Sequence, residues 1–146
     1  MKTSMRPAIS LFVLLSAITG IIYPLVPLKR LVQLIGPANT KYLVFTSGLV
    51  TAERAHHMGL VDEVLPDGIV LDRALRLADE IAGRSQLSLQ ATKDIVDRLV
   101  TGRLSDDRVA AWLEQVAASP DVAEGMAAFA ERRRPSFTWN GAGLPD

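Results

Sequence analysis

The sequence predicts a mostly helical fold carrying one or two short strands, and three observations lead there. Alanine and leucine dominate a composition that is 49% hydrophobic and 22% charged, with aromatics at only 5%, a mix that favours helices over sheets. Apolar residues recur at helical spacing from residue 28 onward, and the serines, threonines and glycines between those runs have the chemistry of helix caps. At 146 residues the chain is long enough for one domain with a real core and too short for most two-domain arrangements.

Taken in order, residues 1–27 form an apolar segment of their own. Lys2 and Arg6 precede an apolar run over residues 8–17, and a second apolar patch over 18–26 is interrupted by Gly20 and Pro24. A basic start before an apolar stretch is the pattern of a secretory signal. Ala17-Ile18-Thr19 is a poor cleavage site, however, and Pro24 with Pro27 argues against a continuous membrane helix. Residues 1–27 are therefore read either as a signal-like anchor or as a buried element of a truncated core.

From Leu28 the pattern turns helical. The run Lys29-Arg30-Leu31-Val32-Gln33-Leu34-Ile35 stops at Gly36, and Pro37 opens a second helix carrying Tyr42, Leu43 and Phe45. Proline costs little in a first turn, where its missing N–H has no intrahelical acceptor. In residues 46–66 Thr51 is placed to cap a short helix, Glu53 lies in its first turn and Gly59 suits a left-handed stop. Residues 60–65, Leu-Val-Asp-Glu-Val-Leu, read as a short half-buried strand ended by Pro66-Asp67-Gly68.

Residues 71–82 read as an amphipathic helix, with Leu71, Leu75, Ala78 and Ala82 on one face and Asp72, Arg76, Asp79 and Glu80 on the other. Residues 87–100 form the next, with Leu89, Thr92, Val96 and Leu99 at mostly helical spacing. Ser105-Asp106-Asp107 caps a helix through Val109, Trp112, Leu113 and Val116, and Ser119-Pro120-Asp121 repeats the device for a last helix. Residues 138–146 are expected to be a flexible tail.

Sixteen basic and sixteen acidic side chains give zero formal charge, so the balance suggests neither a general nucleic-acid binder nor a membrane-surface protein. The chain has no cysteine, which excludes disulfides, thiolate chemistry and cysteine-ligated zinc. Glu53 and His57, four apart on one helical face, could share a metal but lack a third ligand, so no metal site is assigned; His56 and His57 read as surface side chains. Asp62 and Glu63 are adjacent on a strand and point to opposite faces, which keeps them from sharing one reacting atom. Glu114, Asp121 and Glu124 read as helix-solubilising charges.

Two stretches carry a family resemblance. Ser47-Gly48, Thr51-Ala52-Glu53, Ala55, Gly59-Leu60-Val61 and Glu63-Val64 fall in order on the "TG…(I/L)(S/T)AEEA…GLV(N/D)EVVP" segment of the enoyl-CoA hydratase/isomerase, or crotonase, family. Residues 121–137, DVAEGMAAFAERRRPSF, resemble its "D…EGMxAFxEKRxPxF" terminus, and Gln90-Ala91-Thr92-Lys93 resembles its "xATK". Laid ungapped on "GxIPGxGGTQRLxRxVG", residues 20–36 agree at Gly20, Ile22, Arg30, Leu31 and Gly36. Tyr23 to Pro27 replace the family's glycine-rich loop.

The resemblance covers residues 28–137 and implies the C-terminal part of the α/β crotonase fold, a ββα spiral with trimerisation helices. In the family the last helix packs at a subunit interface, and its phenylalanine and first basic residue approach the adenine-phosphate end of coenzyme A bound mainly by a neighbouring subunit. The matching residues are Phe129 and Arg132. Arginine offers a planar fork of donors to phosphate, and phenylalanine an apolar face. The alternative is that Arg132 to Arg134 complement the helix dipole and stay solvated, with Phe129 in a helix contact.

Crotonase chemistry rests on two backbone N–H donors that hold the thioester oxyanion, and hydratases add two glutamates. Nothing upstream of Gly20 resembles the oxyanion segments, and the ungapped register puts Ser16 where the nearer glutamate belongs. No catalytic residue is therefore assigned. The expectation is a family protein that acts on or binds acyl-CoA thioesters, incomplete as a catalyst, with coenzyme A entering as part of the substrate and no other cofactor. Expected partners are other copies in a trimer or hexamer, or a complete paralogue, without nucleic acid or membrane, in the cytoplasm. The alternative is a non-catalytic helical interaction or pseudoenzyme subunit, or a module anchored or exported through the apolar N-terminus.

Overall fold

A computed structural model of the protein describes residues 16–141. These form seven helices: α1 (Ser16–Thr19), α2 (Leu25–Thr46), α3 (Ala52–His57), α4 (Val70–Ala82), α5 (Gln86–Val100), α6 (Asp106–Ala118) and α7 (Asp121–Glu131). They fall into two compact units, the chain dividing after Asp67. Most of the apolar run read as a signal-like segment lies outside the described residues. Among those described, no helix is long and apolar enough to cross a membrane.

The first unit is built on α2. It begins three residues before the expected Leu28, because Pro24 sets up the entry and Pro27 sits in the first turn, where its missing N–H costs nothing. Gly36 interrupts the helix at φ 75° and ψ 167°, so the expected stop and the restart at Pro37 both occur inside α2. The interruption leaves carbonyls without helical donors, and side chains take them up: Asn39 Nδ2 donates to the Ile35 carbonyl (3.0 Å) and Thr40 Oγ1 to that of Gly36 (2.8 Å). Leu31, Ile35 and Leu43 then pack with Met58, and Tyr23, Val50 and Leu60 close over them. Of the three apolar residues expected on the second segment, Leu43 is buried while Tyr42 and Phe45 are exposed.

Helix α3 matches its expected caps at both ends. Thr51 Oγ1 accepts the Arg54 N–H (3.1 Å). At the other end Gly59 has φ 81°, its N–H reaches the His56 carbonyl (3.0 Å) and that of Leu60 reaches Ala55 (2.9 Å), the paired bonds of a Schellman stop. A Cβ on Gly59 would lie 3.6 Å from the Leu34 carbonyl oxygen, an ordinary contact. The cost of Gly59→Ala is therefore conformational: we expect about 1–2 kcal/mol of lost stability, read as a shift in the denaturant midpoint.

The expected strand is not formed: residues 60–65 follow α3 without strand structure, and no strand occurs among the described residues. A strand needs a neighbour to accept its ladder hydrogen bonds, and periodicity cannot tell whether one is present. The fold is helical throughout what is described.

The second unit contains α4 to α7. Ser85, a cap the sequence reading passes over, accepts the Ser88 N–H (3.3 Å) and starts α5. The buried face of α5 is Leu87 and Ala91 with Ile95 beside them, packed on Trp112 and Val116 of α6. The face expected from Val96 and Leu99 is instead exposed; both stripes have helical spacing, and only the docking of α6 decides between them. Ser105 caps α6 as expected, its Oγ accepting the Arg108 N–H (3.3 Å). Helix α4 is different, since its polar and apolar faces are as expected but none of its residues is buried.

The chain does not fray at residue 138. Thr138 donates its N–H to Asp121 Oδ1 (3.1 Å), and Trp139 packs on the Leu87–Ala91–Trp112 cluster. Residues 142–146 lie outside the described part.

Candidate functional site at the end of the last helix

The site is built from α7 and the segment that folds back along it. Ser119 Oγ accepts the Asp121 N–H (3.1 Å) to cap the helix start. Asp121, only 4% exposed, accepts the Ser85 hydroxyl at 2.7 Å and the Thr138 N–H at 3.1 Å, tying α7 to the start of α5. Its buried carboxylate is compensated by these donors, as a buried charge must be. The expected solubilising role for Asp121 is thus replaced by an anchoring one.

Glu124 is corrected in the same sense. Both its oxygens receive the Arg133 guanidinium, at 2.6 and 2.9 Å, and Oε1 also accepts the Ser136 N–H at 2.6 Å. Phe137 lies over Gly125, where a Cβ would stand 3.7 Å from the ring. Residues 133–138 therefore run antiparallel to α7, fastened at Glu124, Gly125 and Asp121 in turn. The pattern of Glu, Gly, Arg, Pro and Phe in this stretch is in large part the chemistry of that strap.

The hydrogen bonds from Arg133 and then from Ser136 hold the Glu124 carboxyl down to about 2, from an ordinary 4.5, while the carboxylates raise the Arg133 guanidinium. A carboxyl lowered on folding contributes stability that is complete above its unfolded value and is lost as pH falls through its folded one. The strap should loosen between about pH 4.5 and 2, and Glu124→Gln should flatten that part of the acid-unfolding curve followed by Trp139 fluorescence.

Arg133 is thereby spent on holding the strap, and Arg132 is not. It occupies a left-handed position (φ 54°) after α7, its N–H and that of Arg133 reaching back to the Phe129 and Ala128 carbonyls. Glycine is the usual residue there; an arginine costs about 1 kcal/mol or more. Its side chain is exposed and has no partner among the described residues. Phe129, one turn earlier on α7, is 85% exposed. The two candidate binding residues accordingly sit close together at the end of α7, and neither is occupied by the second unit.

The other candidates stay apart. Glu53, His56 and His57 are exposed on α3, and no group of three metal-ligating side chains occurs among the described residues. Asp62 and Glu63 are both exposed. Ser16 opens α1, and the residues before it lie outside the described part.

The sequence reading does not single out Asp94, on which three donors converge. It accepts from Arg98 Nε (2.8 Å), Arg108 Nε (2.7 Å) and Trp112 Nε1 (2.8 Å). Chiefly the Arg108 hydrogen bond holds its carboxyl well below the usual range. The signal was available: Asp94 and Arg98 stand four apart on α5, and a buried Trp112 needs an acceptor for its indole. A mostly apolar cleft of about 290 Å³ lies beside this core, between Leu87, Val116, Val122, Met126 and Phe137.

The helical fold is shared with a known class. The sequence model of the enoyl-CoA hydratase/isomerase family matches residues 6–140, and the chain belongs to that family. Among its relatives, the 2,3-dehydroadipyl-CoA hydratase of Escherichia coli is 33% identical over 113 residues, covering 75% of this chain and 44% of the relative. A putative enoyl-CoA hydratase of Thermus thermophilus is 37% identical over 112 residues, covering 73% and 43%. The crystal structure of an enoyl-CoA hydratase/isomerase family member, 36% identical, superposes with a TM-score of 0.79 over 87% of this chain and 48% of its own. The chain thus spans less than half the length of the curated relatives it matches.

Proposed function

We propose that this protein binds acyl-CoA thioesters and contributes Arg132 and Phe129 to the nucleotide end of coenzyme A, without completing the hydration or isomerisation of the acyl group by itself. One observation carries the reading: at the end of α7, Arg133 is committed to Glu124 while the neighbouring Arg132 and Phe129 are presented outward. An arginine held in a disfavoured backbone conformation, with no partner for its guanidinium among the described residues, is suited to receive phosphate oxygens. The exposed ring beside it supplies an apolar surface for a base.

The polarising step belongs elsewhere. Reactions through a thioester enolate need preorganised donors where the negative charge develops, commonly the largest single contribution to the rate, and no residue described here is assigned that role. The protein would work in an assembly, as a homo-trimer or hexamer or beside a complete relative, in the cytoplasm. With crotonyl-CoA, loss of the enoyl absorbance in the presence of the purified protein should not exceed background; turnover at the rate of a full-length hydratase would contradict the proposal.

A second reading, a helical interaction subunit without ligand, is favoured by the number of large apolar side chains left exposed, among them Phe45, Leu71, Leu113 and Met126. Saturable binding of coenzyme A separates the two, since a pure interaction subunit shows none.

A further inference from the structure

The three consecutive arginines at the end of α7 go three ways. Arg133 turns back onto the helix: Nη1 and Nη2 donate to the two oxygens of Glu124 at 2.6 and 2.9 Å, and Nε donates to Glu131 at 2.6 Å. Arg134 lines a separate recess with Asp79, Glu80 and Arg84. Arg132 stands at the left-handed position that ends the helix, at φ 54°. An arginine does not hold itself there. Its preferred right-handed conformation would carry α7 onward, so the chain after Arg132 must fix the reversal.

The side-chain bonds that fix it meet at one carboxylate. Besides the Arg133 guanidinium, Glu124 Oε1 accepts the Ser136 N–H at 2.6 Å, so Glu124 grips the chain at two points just beyond the turn. We infer that Glu124 is a positioning residue for coenzyme A binding: by holding Arg133 and Ser136 it keeps Arg132 left-handed, and so sets the direction in which the Arg132 side chain leaves the helix end. This role rests on the coenzyme A reading. The direction is sensitive to the turn, because moving φ from 54° to a helical value near −63° swings the Cα–Cβ bond by roughly 120° about N–Cα. The guanidinium is carried with it.

Charge alone predicts the opposite sign. Glu124 is an anion that occupies an arginine beside the phosphate contact, so removing it should strengthen phosphate binding by electrostatics. Positioning predicts weakening, since only molecules with the turn formed are competent to bind. A latch that merely adds stability would leave the affinity of the folded protein unchanged.

The test is isothermal titration of coenzyme A into the full protein and into Glu124→Ala, Arg133→Ala, Arg132→Ala and the Glu124→Ala/Arg132→Ala double variant, at a temperature where circular dichroism shows each folded. Arg133→Ala breaks the same latch from its other side, so the test stands if Glu124→Ala does not fold. NMR of the ligand-free proteins follows the HN–Hα Overhauser contact within Arg132, which is strong only at positive φ. Glu124→Ala should lose about fivefold or more in affinity, with a like loss for Arg133→Ala and a weakened Arg132 contact in both. Adding Glu124→Ala to Arg132→Ala should cost nothing further. Affinity in Glu124→Ala equal to or above that of wild type, a further loss in the double variant, or an undiminished Arg132 contact would each overturn the inference and leave the coenzyme A reading standing. Wild-type protein that takes up no coenzyme A would overturn that reading, and this role with it.

Discussion

Trp112→Ala should lower the unfolding free energy of the second unit by about 4 kcal/mol, the largest effect expected of any single replacement. The indole is 3% exposed and packs on Leu87 and Ala91 of α5 with Val116 and Trp139 around it. Removing it leaves a cavity where α5 and α6 meet. The loss is also polar, because Trp112 Nε1 donates to Asp94 Oδ2 (2.8 Å). Urea denaturation followed by far-UV circular dichroism reads the change as a lower midpoint with an unchanged slope.

Asp94→Ala is expected to cost about 3 kcal/mol by a different route. Three donors converge on this carboxylate, and two of them, Arg108 and Trp112, are largely withdrawn from water. Alanine leaves the Trp112 indole N–H without its acceptor and takes one carboxylate away from the Arg108 guanidinium, which is worse than removing the whole network. Asp94→Asn keeps an acceptor but not the charge and should fall between wild type and alanine. Because Asp94 and Trp112 share a hydrogen bond, the double replacement should cost less than the two single costs added together. The sign with pH follows from the lowered carboxyl: the contribution of Asp94 is complete above the ordinary 3.8 and fades as the medium becomes more acid than that. At neutral pH the full cost is present.

These effects show which parts of the molecule sequence alone could reach. Caps are local, so Thr51, Gly59 and Ser105 were legible from residue type and spacing, and each has the hydrogen bonds expected of it. The break at Gly36 was legible for the same reason. Faces are not local. Leu87-Ala91-Ile95 and Val96-Leu99 both satisfy helical spacing, and α6 docks on the first. The strand at residues 60–65 failed similarly, since β-branched alternation states a preference while a ladder requires a neighbour.

The candidate site divides along the same line. Phe129 and Arg132 were reached only through the family resemblance. Their isolation from the strap depends on Glu124 taking Arg133 instead, a choice among three consecutive arginines that composition cannot make. Asp121 and Glu124 looked like surface charges because helix periodicity says nothing of a chain segment that returns along the helix twelve or more residues later.

The central claim is that the outward-facing end of α7 holds the phosphate end of coenzyme A, and an NMR titration of the protein with coenzyme A tests it most directly. The account predicts saturable shifts of the Phe129 ring and Arg132 side-chain resonances. Affinity should fall roughly tenfold, about 1.4 kcal/mol, for dephospho-coenzyme A and equally for Arg132→Ala, with no change for Arg76→Ala on α4. Arg132→Gly should weaken binding likewise while raising stability by about 1 kcal/mol, since it relieves the left-handed conformation. Equal affinities for the two ligands, or undiminished binding by Arg132→Ala, would contradict it.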